Sequence, residues 1–396
     1  MRARGAVAFA VALVAFLCLG LWLGGHPSEL PGFLRDRFVT EPAGLTAEAA
    51  ELIENGYYRP VGEAELSNAS LQGMVRELRK RHHDRFSEYF SPESLASFNE
   101  QIEGRFSGIG LTVVPVKRGL RASRVFPHSP AAGAGIEPGD TIVSVNGDSI
   151  AGESSAVATA RIKGPDGTQV NIGVRDAETG KVRELELTRA EVTLPNVSSR
   201  VRTVDGRKLG YVRLLVFSEG AHALLANAVR KVQREGAEGI VLDLRGNPGG
   251  LLEEAVLSAS VFLPKDEVVV STDSRSQGHT VHKTVGDNLP ARPLAVLIDR
   301  GTASAAEILT AALADDGDAT VVGTRSFGKG VFQEEVGLAN GGALKLTVGE
   351  YFTPEGVNLA ESRGVHPDVA ARDDPRTRAD EAERRALDAL AGRAGR

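Results

Sequence analysis

Three strings in the second half of the chain carry the residues best suited to bond-breaking chemistry. They are Val241-Leu-Asp-Leu-Arg-Gly-Asn-Pro-Gly-Gly-Leu-Leu, Val296-Leu-Ile-Asp-Arg-Gly-Thr-Ala-Ser-Ala-Ala-Glu-Ile and Val322-Gly-Thr-Arg-Ser-Phe-Gly-Lys-Gly-Val-Phe-Gln. Each runs from an apolar strand end into a turn, where α/β folds collect their ligands. Ser304 follows a Gly-Thr turn and opens a helix, so its hydroxyl faces a crevice near the positive end of the helix dipole. A serine hydroxyl is a poor nucleophile without a neighbouring base. Lys329, between Gly328 and Gly330, can be that base if enclosure in an apolar pocket lowers its pKa from about 10.4. Ser-Lys dyads are an attested variant of triad chemistry. The backbone N–H of Ala305 and one from the Asn247–Gly250 turn, through Gly249 or Gly250, can receive the negative charge that develops during acyl transfer. Each residue alone has a plainer reading. Ser304 can be a helix N-cap, Lys329 an exposed lysine in a glycine-rich turn or a phosphate contact, and Pro248–Gly250 a simple strand-to-helix turn. Glu307, one helical turn beyond Ser304, reads as structural.

The elements that position these strings are α/β in texture. Apolar runs without alternation predict buried strands at Leu209–Leu214, Gly239–Leu244, Leu294–Ile298 and Thr320–Gly323. Helical stretches lie between them at Ala221–Glu235, Leu251–Phe262 and Ala305–Ala314. Upstream, short β-rich runs separated by Gly/Pro turns predict a small β domain: Gly110–Val116, Leu120–Val125, Asp140–Val145, Gln169–Val174 and Val182–Leu187. Further upstream, three- and four-residue apolar spacing predicts helices at Leu45–Tyr58 and Leu71–Arg81, and Asp84–Pro92 reads as a loop with buried aromatics. After Arg372 the charged, alanine-rich sequence reads as a surface helix or frayed tail.

Within the β domain, Phe106-Ser-Gly-Ile-Gly-Leu-Thr and Ser129-Pro-Ala-Ala-Gly-Ala-Gly-Ile-Glu-Pro-Gly-Asp-Thr-Ile-Val-Ser-Val-Asn-Gly resemble a bacterial, circularly permuted PDZ domain. Gly108, Ile109, Gly110 and Leu111 can turn consecutive N–H groups toward one point and so hold a chain-terminal carboxylate. The strand that follows offers an edge for an extended peptide. A dinucleotide reading of Gly108-Ile-Gly110 lacks the third glycine and the following helix.

Together the strings resemble the carboxyl-terminal processing peptidases, relatives of the tail-specific and tricorn-type proteases, from about Asp84 to Asp368. The resemblance implies a crotonase-like or ClpP-like α/β protease core with an inserted PDZ domain and N-terminal helices. It implies Ser304 as nucleophile, Lys329 as base and Gln333 as the residue orienting the lysine. Expected boundaries are an anchor or signal at 1–28, a helical region at 29–103, the PDZ domain at 104–190, the protease core at 191–371 and a charged tail at 372–396. Lys163 stands where related proteases often carry an arginine coupling the PDZ domain to the active site. Lysine keeps the charge but loses the bidentate fork, and the plainer expectation is a solvated lysine.

Residues 1–25 combine Arg2 and Arg4 with an apolar stretch from Ala6 to Gly25, long enough to cross a bilayer and oriented to export the body of the chain. The expectation is a protein held to the outer face of the cytoplasmic membrane, facing the periplasm or its equivalent. The single cysteine, Cys18, lies inside that stretch, which excludes a disulfide, a thiol nucleophile and a Cys-based zinc site from the rest. The eight histidines are scattered without ligand spacing, and no metal or other cofactor is expected. A net charge of -6 argues against nucleic acid as a partner. The partners implied are protein substrates held by their C-termini, other copies of the chain in dimers or higher rings, and an activating adaptor protein. Two other functions fit parts of the sequence: a catalytically inactive PDZ adaptor that keeps the protease fold, and a crotonase-like acyl-CoA enzyme.

Overall fold

The structure is a computed structural model and describes residues 41–393 except 287, 316, 317, 375 and 378. The apolar segment of residues 1–28 lies outside the described residues. Among the described residues no helix is long and apolar enough to cross a membrane. The chain divides into two units, Met1–Ser91 and Pro92–Arg396.

The first unit holds helices α1 (Glu41–Gly56) and α2 (Glu63–His82) and a short strand, β1 (Glu88–Phe90). Both helices start earlier than the apolar spacing suggested. In α2 this has an electrostatic reason: Glu63 and Glu65 occupy its first turn and Arg79–His82 its last, each opposing the helix dipole. The predicted loop at Asp84–Pro92 contains β1, where Tyr89 bonds Asn68 of α2 (2.6 Å).

The second unit begins with α3 (Pro92–Glu103) and then the β domain. Its strands are β2 (Arg105–Gly108), β3 (Leu111–Val116), β4 (Gly119–Val125), β5 (Thr141–Val145), β6 (Asp148–Ser149), β7 (Gln169–Arg175), β8 (Val182–Thr188) and β9 (Ala190–Thr193). Two helices interrupt them, α4 (Pro130–Gly133) and α5 (Ser155–Ile162). The main sheet of this domain runs β3-β4-β5-β7-β8, with β6 paired to β5, while β2 and β9 form a separate ribbon leading in and out. Its core is aliphatic: Ile109, Leu120, Ile142, Val145, Ile172 and Val174 are all buried.

The remainder is an α/β core of strands β10 (Val197–Val204), β11 (Arg207–Leu214), β12 (Gly239–Asp243), β13 (Val268–Ser274), β14 (Gly278–Lys283), β15 (Leu294–Ile298), β16 (Thr320–Gly323), β17 (Val331–Gly337), β18 (Ala343–Phe352) and β19 (Val369–Ala370). Its helices are α6 (Ala221–Arg234), α7 (Leu252–Ala259), α8 (Ala305–Asp315) and α9 (Glu381–Arg393). The central sheet runs β10-β11-β12-β15-β16-β19 and is parallel except for the β10–β11 pair. Helices α6, α7 and α8 pack on one face through Leu225, Ala255 and Leu309. The other face is closed by α9. Ala382, Ala386, Leu387 and Leu390 of that helix sit on Tyr211, Val241, Leu297 and Val322. The expected helix forms and the frayed-tail alternative does not hold: small alanines make an apolar stripe, hidden in the composition, that packs on the sheet. Arg245 pins the segment before the helix through Asp373 (2.9 Å) and Asp380 (2.8 Å), and Arg200 pairs with Glu383. A second sheet, with β17-β18-β13-β14 in order, flanks the core.

Candidate active site and peptide-binding loop

The three turns predicted to carry chemistry converge at the C-terminal ends of β12, β15 and β16. Gly246 N–H donates to Asp299 Oδ1 (2.8 Å), and Ala303 N–H to Asn247 O (2.9 Å). Thr302 is fully buried; its hydroxyl reaches Leu244 O (2.8 Å), while its carbonyl accepts from Phe327 N–H (3.0 Å). The turns are therefore cross-tied by backbone, with few degrees of freedom left at the crevice.

Ser304 precedes α8 with φ +56, the left-handed region that a non-glycine residue enters at a cost of about 1–2 kcal/mol. Its N–H donates to Glu307 Oε2 (2.9 Å). Its hydroxyl does not cap the helix, as the plain reading required, but bonds Tyr351 Oη at 2.7 Å. Glu307 is completely buried. Its Oε2 also accepts Lys329 N–H (2.9 Å), and its Oε1 accepts Gly328 N–H (2.7 Å) and the Ser326 hydroxyl (2.5 Å). One carboxylate thus fixes the backbone of both Ser304 and Lys329. The sequence signal for this was the Ser-x-x-Glu spacing, in which an acidic residue reaches back to the N–H at the helix start.

Lys329 donates from Nζ to Gln333 Oε1 (2.7 Å), and Gln333 Nε2 contacts Thr347 Oγ1 (3.3 Å). Burial pulls the lysine down from its ordinary value, the charge of Lys345 adds to this, and Glu307 opposes it; the outcome is about 8. Ser304, Lys329, Gln333 and Ala305 line one cleft of about 490 Å³, with walls from α3 (Phe98, Ile102) and β17–β18 (Phe332, Tyr351). Lys345 Nζ lies over the Phe98 ring, 4.5 Å from its centre. Tyr351 went unnoticed in the sequence, because nothing local marks a residue 47 positions from the serine it touches.

Both oxyanion candidates from the Asn247–Gly250 turn border this cleft. Gly249 has φ +100, and a Cβ there would stand 2.8 Å from Ser304 Cβ, so only glycine permits this approach. Its N–H donates to the side chain of buried Asn247 (2.9 Å). Among the described residues no acceptor takes the N–H of Gly250 or Ala305.

In the β domain, the carbonyls of Ile109 and Gly110 point inward and accept from Ala131 N–H (2.8 Å) and Phe126 N–H (3.0 Å). No acceptor among the described residues takes the N–H of Ile109 or Gly110. This is the arrangement an anion-binding nest requires. Leu111 begins β3, and Gly108 ends β2. Lys163, expected to be solvated, instead pairs with Glu100 of α3 and lies 5.7 Å from the Phe106 ring centre. Asp243 and Arg245 pair (2.8 Å).

Comparison with known proteins finds relatives for both the PDZ domain and the α/β core. Residues 208–371 match the model of peptidase family S41, and residues 121–176 that of the PDZ domain. Over 325 residues the chain is 33% identical to the carboxy-terminal processing protease CtpB of Bacillus subtilis, spanning 82% of this chain and 67% of that one. It is 32% identical to CtpA of the same organism, over 82% of this chain and 68% of the relative. A solved S41 protease from Bacteroides fragilis shares the fold, with TM-score 0.51 and 22% identity over 81% of this chain and 90% of that one. The chain belongs to peptidase family S41 and carries a PDZ domain, within the group of carboxy-terminal processing proteases.

Proposed function

We propose that the chain is an active serine endopeptidase in which Ser304 is acylated, Lys329 is the general base and Gln333 orients the lysine. The observation that carries this is Glu307, whose single oxygen Oε2 accepts from the backbones of both Ser304 and Lys329 (2.9 Å each). Such a staple has no use in a surface turn. It holds a hydroxyl and a half-desolvated amine to the walls of one cleft. With the amine lowered to about 8, about a tenth of it is neutral at pH 7 and able to take a proton. The N–H of Ala305 and one from the Gly249–Gly250 turn would receive the oxyanion. Substrate C-termini would dock as an added strand along β3, with the carboxylate on the nest at Gly108–Leu111.

The expected setting, tethering by residues 1–28 to the outer face of the cytoplasmic membrane, makes cell-envelope proteins the substrate class. Oligomerisation through the N-terminal helices and activation by an adaptor remain part of the same proposal. The competing reading is a PDZ adaptor without turnover. It draws on one observation, that the Ser304 hydroxyl is bonded to Tyr351 rather than to Lys329. Cleavage of β-casein and of a peptide with an apolar C-terminus separates the two. Wild-type turnover should fall at least about a thousandfold in Ser304→Ala and in Lys329→Ala. Equal turnover in wild type and Lys329→Ala refutes the dyad.

A further inference from the structure

Among the described residues the Ser304 oxygen has one hydrogen-bond partner, and it is not the proposed base. Ser304 Oγ and Tyr351 Oη stand 2.7 Å apart, and either can be the donor. Counting protons decides between them. Tyr351 is only 3% exposed, and its phenol has no other acceptor among the described residues; a buried tyrosine O–H normally has one. The Ser304 hydroxyl lines the cleft, so its proton can point into open space rather than into the packed interior. The arrangement that leaves neither proton stranded has tyrosine donating and serine accepting, with the serine proton directed into the cleft that Lys329 also lines.

The phenol is also held where it is. Tyr351 N–H donates to Gly330 O (3.0 Å), next to the lysine, and Asn358 Nδ2 bridges Gly330 O (3.1 Å) and Tyr351 O (3.3 Å). The ring stacks on Phe332 at 5.7 Å and 23°. Burial pushes the phenol up to about 12, so it stays protonated throughout the range in which Lys329, near 8, becomes neutral.

We propose that Tyr351 is a further catalytic residue, donating a hydrogen bond to Ser304 Oγ that strengthens as this oxygen loses its proton. This rests on the dyad reading. In acylation the Oγ–H proton passes to the lone pair of Lys329 Nζ and the Oγ–C bond forms. The carbonyl π pair moves onto its oxygen. As the C–N bond breaks, the oxyanion's pair re-forms the carbonyl, the C–N pair leaves with the amine, and the amine takes the proton from Lys329. Tyr351 keeps its own proton throughout, and its hydrogen bond is worth more to an oxygen carrying charge than to a neutral hydroxyl.

The test is Tyr351→Phe in the full chain, which keeps the ring and its stack on Phe332. The measurement is the second-order rate of labelling by a fluorophosphonate, with casein turnover alongside, as a function of pH. The expected result is a plateau about 10- to 100-fold lower, with an unchanged acid-limb pKa and an unchanged KM. A role confined to shaping the site would instead move the pKa of Lys329 or the KM, and either shift overturns the proposal, as does labelling at the wild-type rate or faster. Lys329→Ala run in parallel separates the two readings. If it labels like wild type, or wild type does not label at all, the dyad fails and this proposal with it. If only Tyr351→Phe is indistinguishable from wild type, the tyrosine alone is excluded.

Discussion

The PDZ domain and the α/β core differ in how many buried polar side chains stand behind their open backbone donors. The PDZ core is aliphatic, and at its candidate binding loop the N–H groups of Ile109 and Gly110 meet no acceptor among the described residues, while their carbonyls are tied to Ala131 and Phe126. Around its cleft the core combines two such donors, the N–H groups of Gly250 and Ala305, with a dense set of buried polar side chains: Asn247, Thr302, Ser304, Glu307, Ser326 and Asn358. A binding loop needs only to leave donors unsatisfied until a ligand arrives. A reaction centre needs several turns held in mutual register, and buried side chains with two or more acceptor or donor positions do this at the least chain length.

The largest effect should come from removing the staple. Glu307→Ala strands four donors in the interior, at Ser304, Ser326, Gly328 and Lys329. It should destabilise the core by about 3 kcal/mol or more and abolish casein cleavage, read by denaturant melts and by turnover. Near-normal activity would end the contrast drawn above. Next is the PDZ loop. Gly110 has φ +84, and a Cβ there would meet Ser129 Cβ at 2.1 Å. Gly110→Val should cut affinity for a C-terminal peptide by more than about tenfold in titration calorimetry. Labelling of Ser304 by a fluorophosphonate should be untouched. If labelling falls equally, the two regions are not chemically separable.

The smallest effect is electrostatic. Activity should fall about tenfold per pH unit below the lysine's pKa, because only the neutral amine accepts a proton. With Lys329 at about 8, that limb lies in the mildly alkaline to neutral range. Lys345 helps to hold the amine down, so Lys345→Met removes a like charge and should move the limb to higher pH with the plateau little changed. A shift to lower pH would show that the charge acts through something other than Lys329.

Much of this site was legible in the sequence because its turns are local. Ser304, Lys329 and the Asn247–Gly250 turn each follow a short, fully buried strand, and such strands stand out as apolar runs bounded by glycine. Other parts could not be read. Strand β18 mixes Lys345, Thr347 and Glu350 with apolar residues because it lines the cleft, so its pattern is neither alternating nor continuous. Helix α9 hides its buried face in alanine. Lys163 looked solvated because its partner Glu100 is 63 residues away. Glu307 was visible at its capping distance from Ser304, but the lysine loop that shares its carboxylate was not, since that contact exists only after folding.

The size of the cleft carries a consequence for what reaches Ser304. A cleft of about 490 Å³ suits an extended backbone and a few of its side chains. Victims would therefore be sorted before any recognition occurs, by how readily their ends unravel. Fraying costs little at most chain termini and a great deal within cooperative cores. Selectivity would then reside partly in the stability of the prey, and a protein could escape simply by packing its last strand.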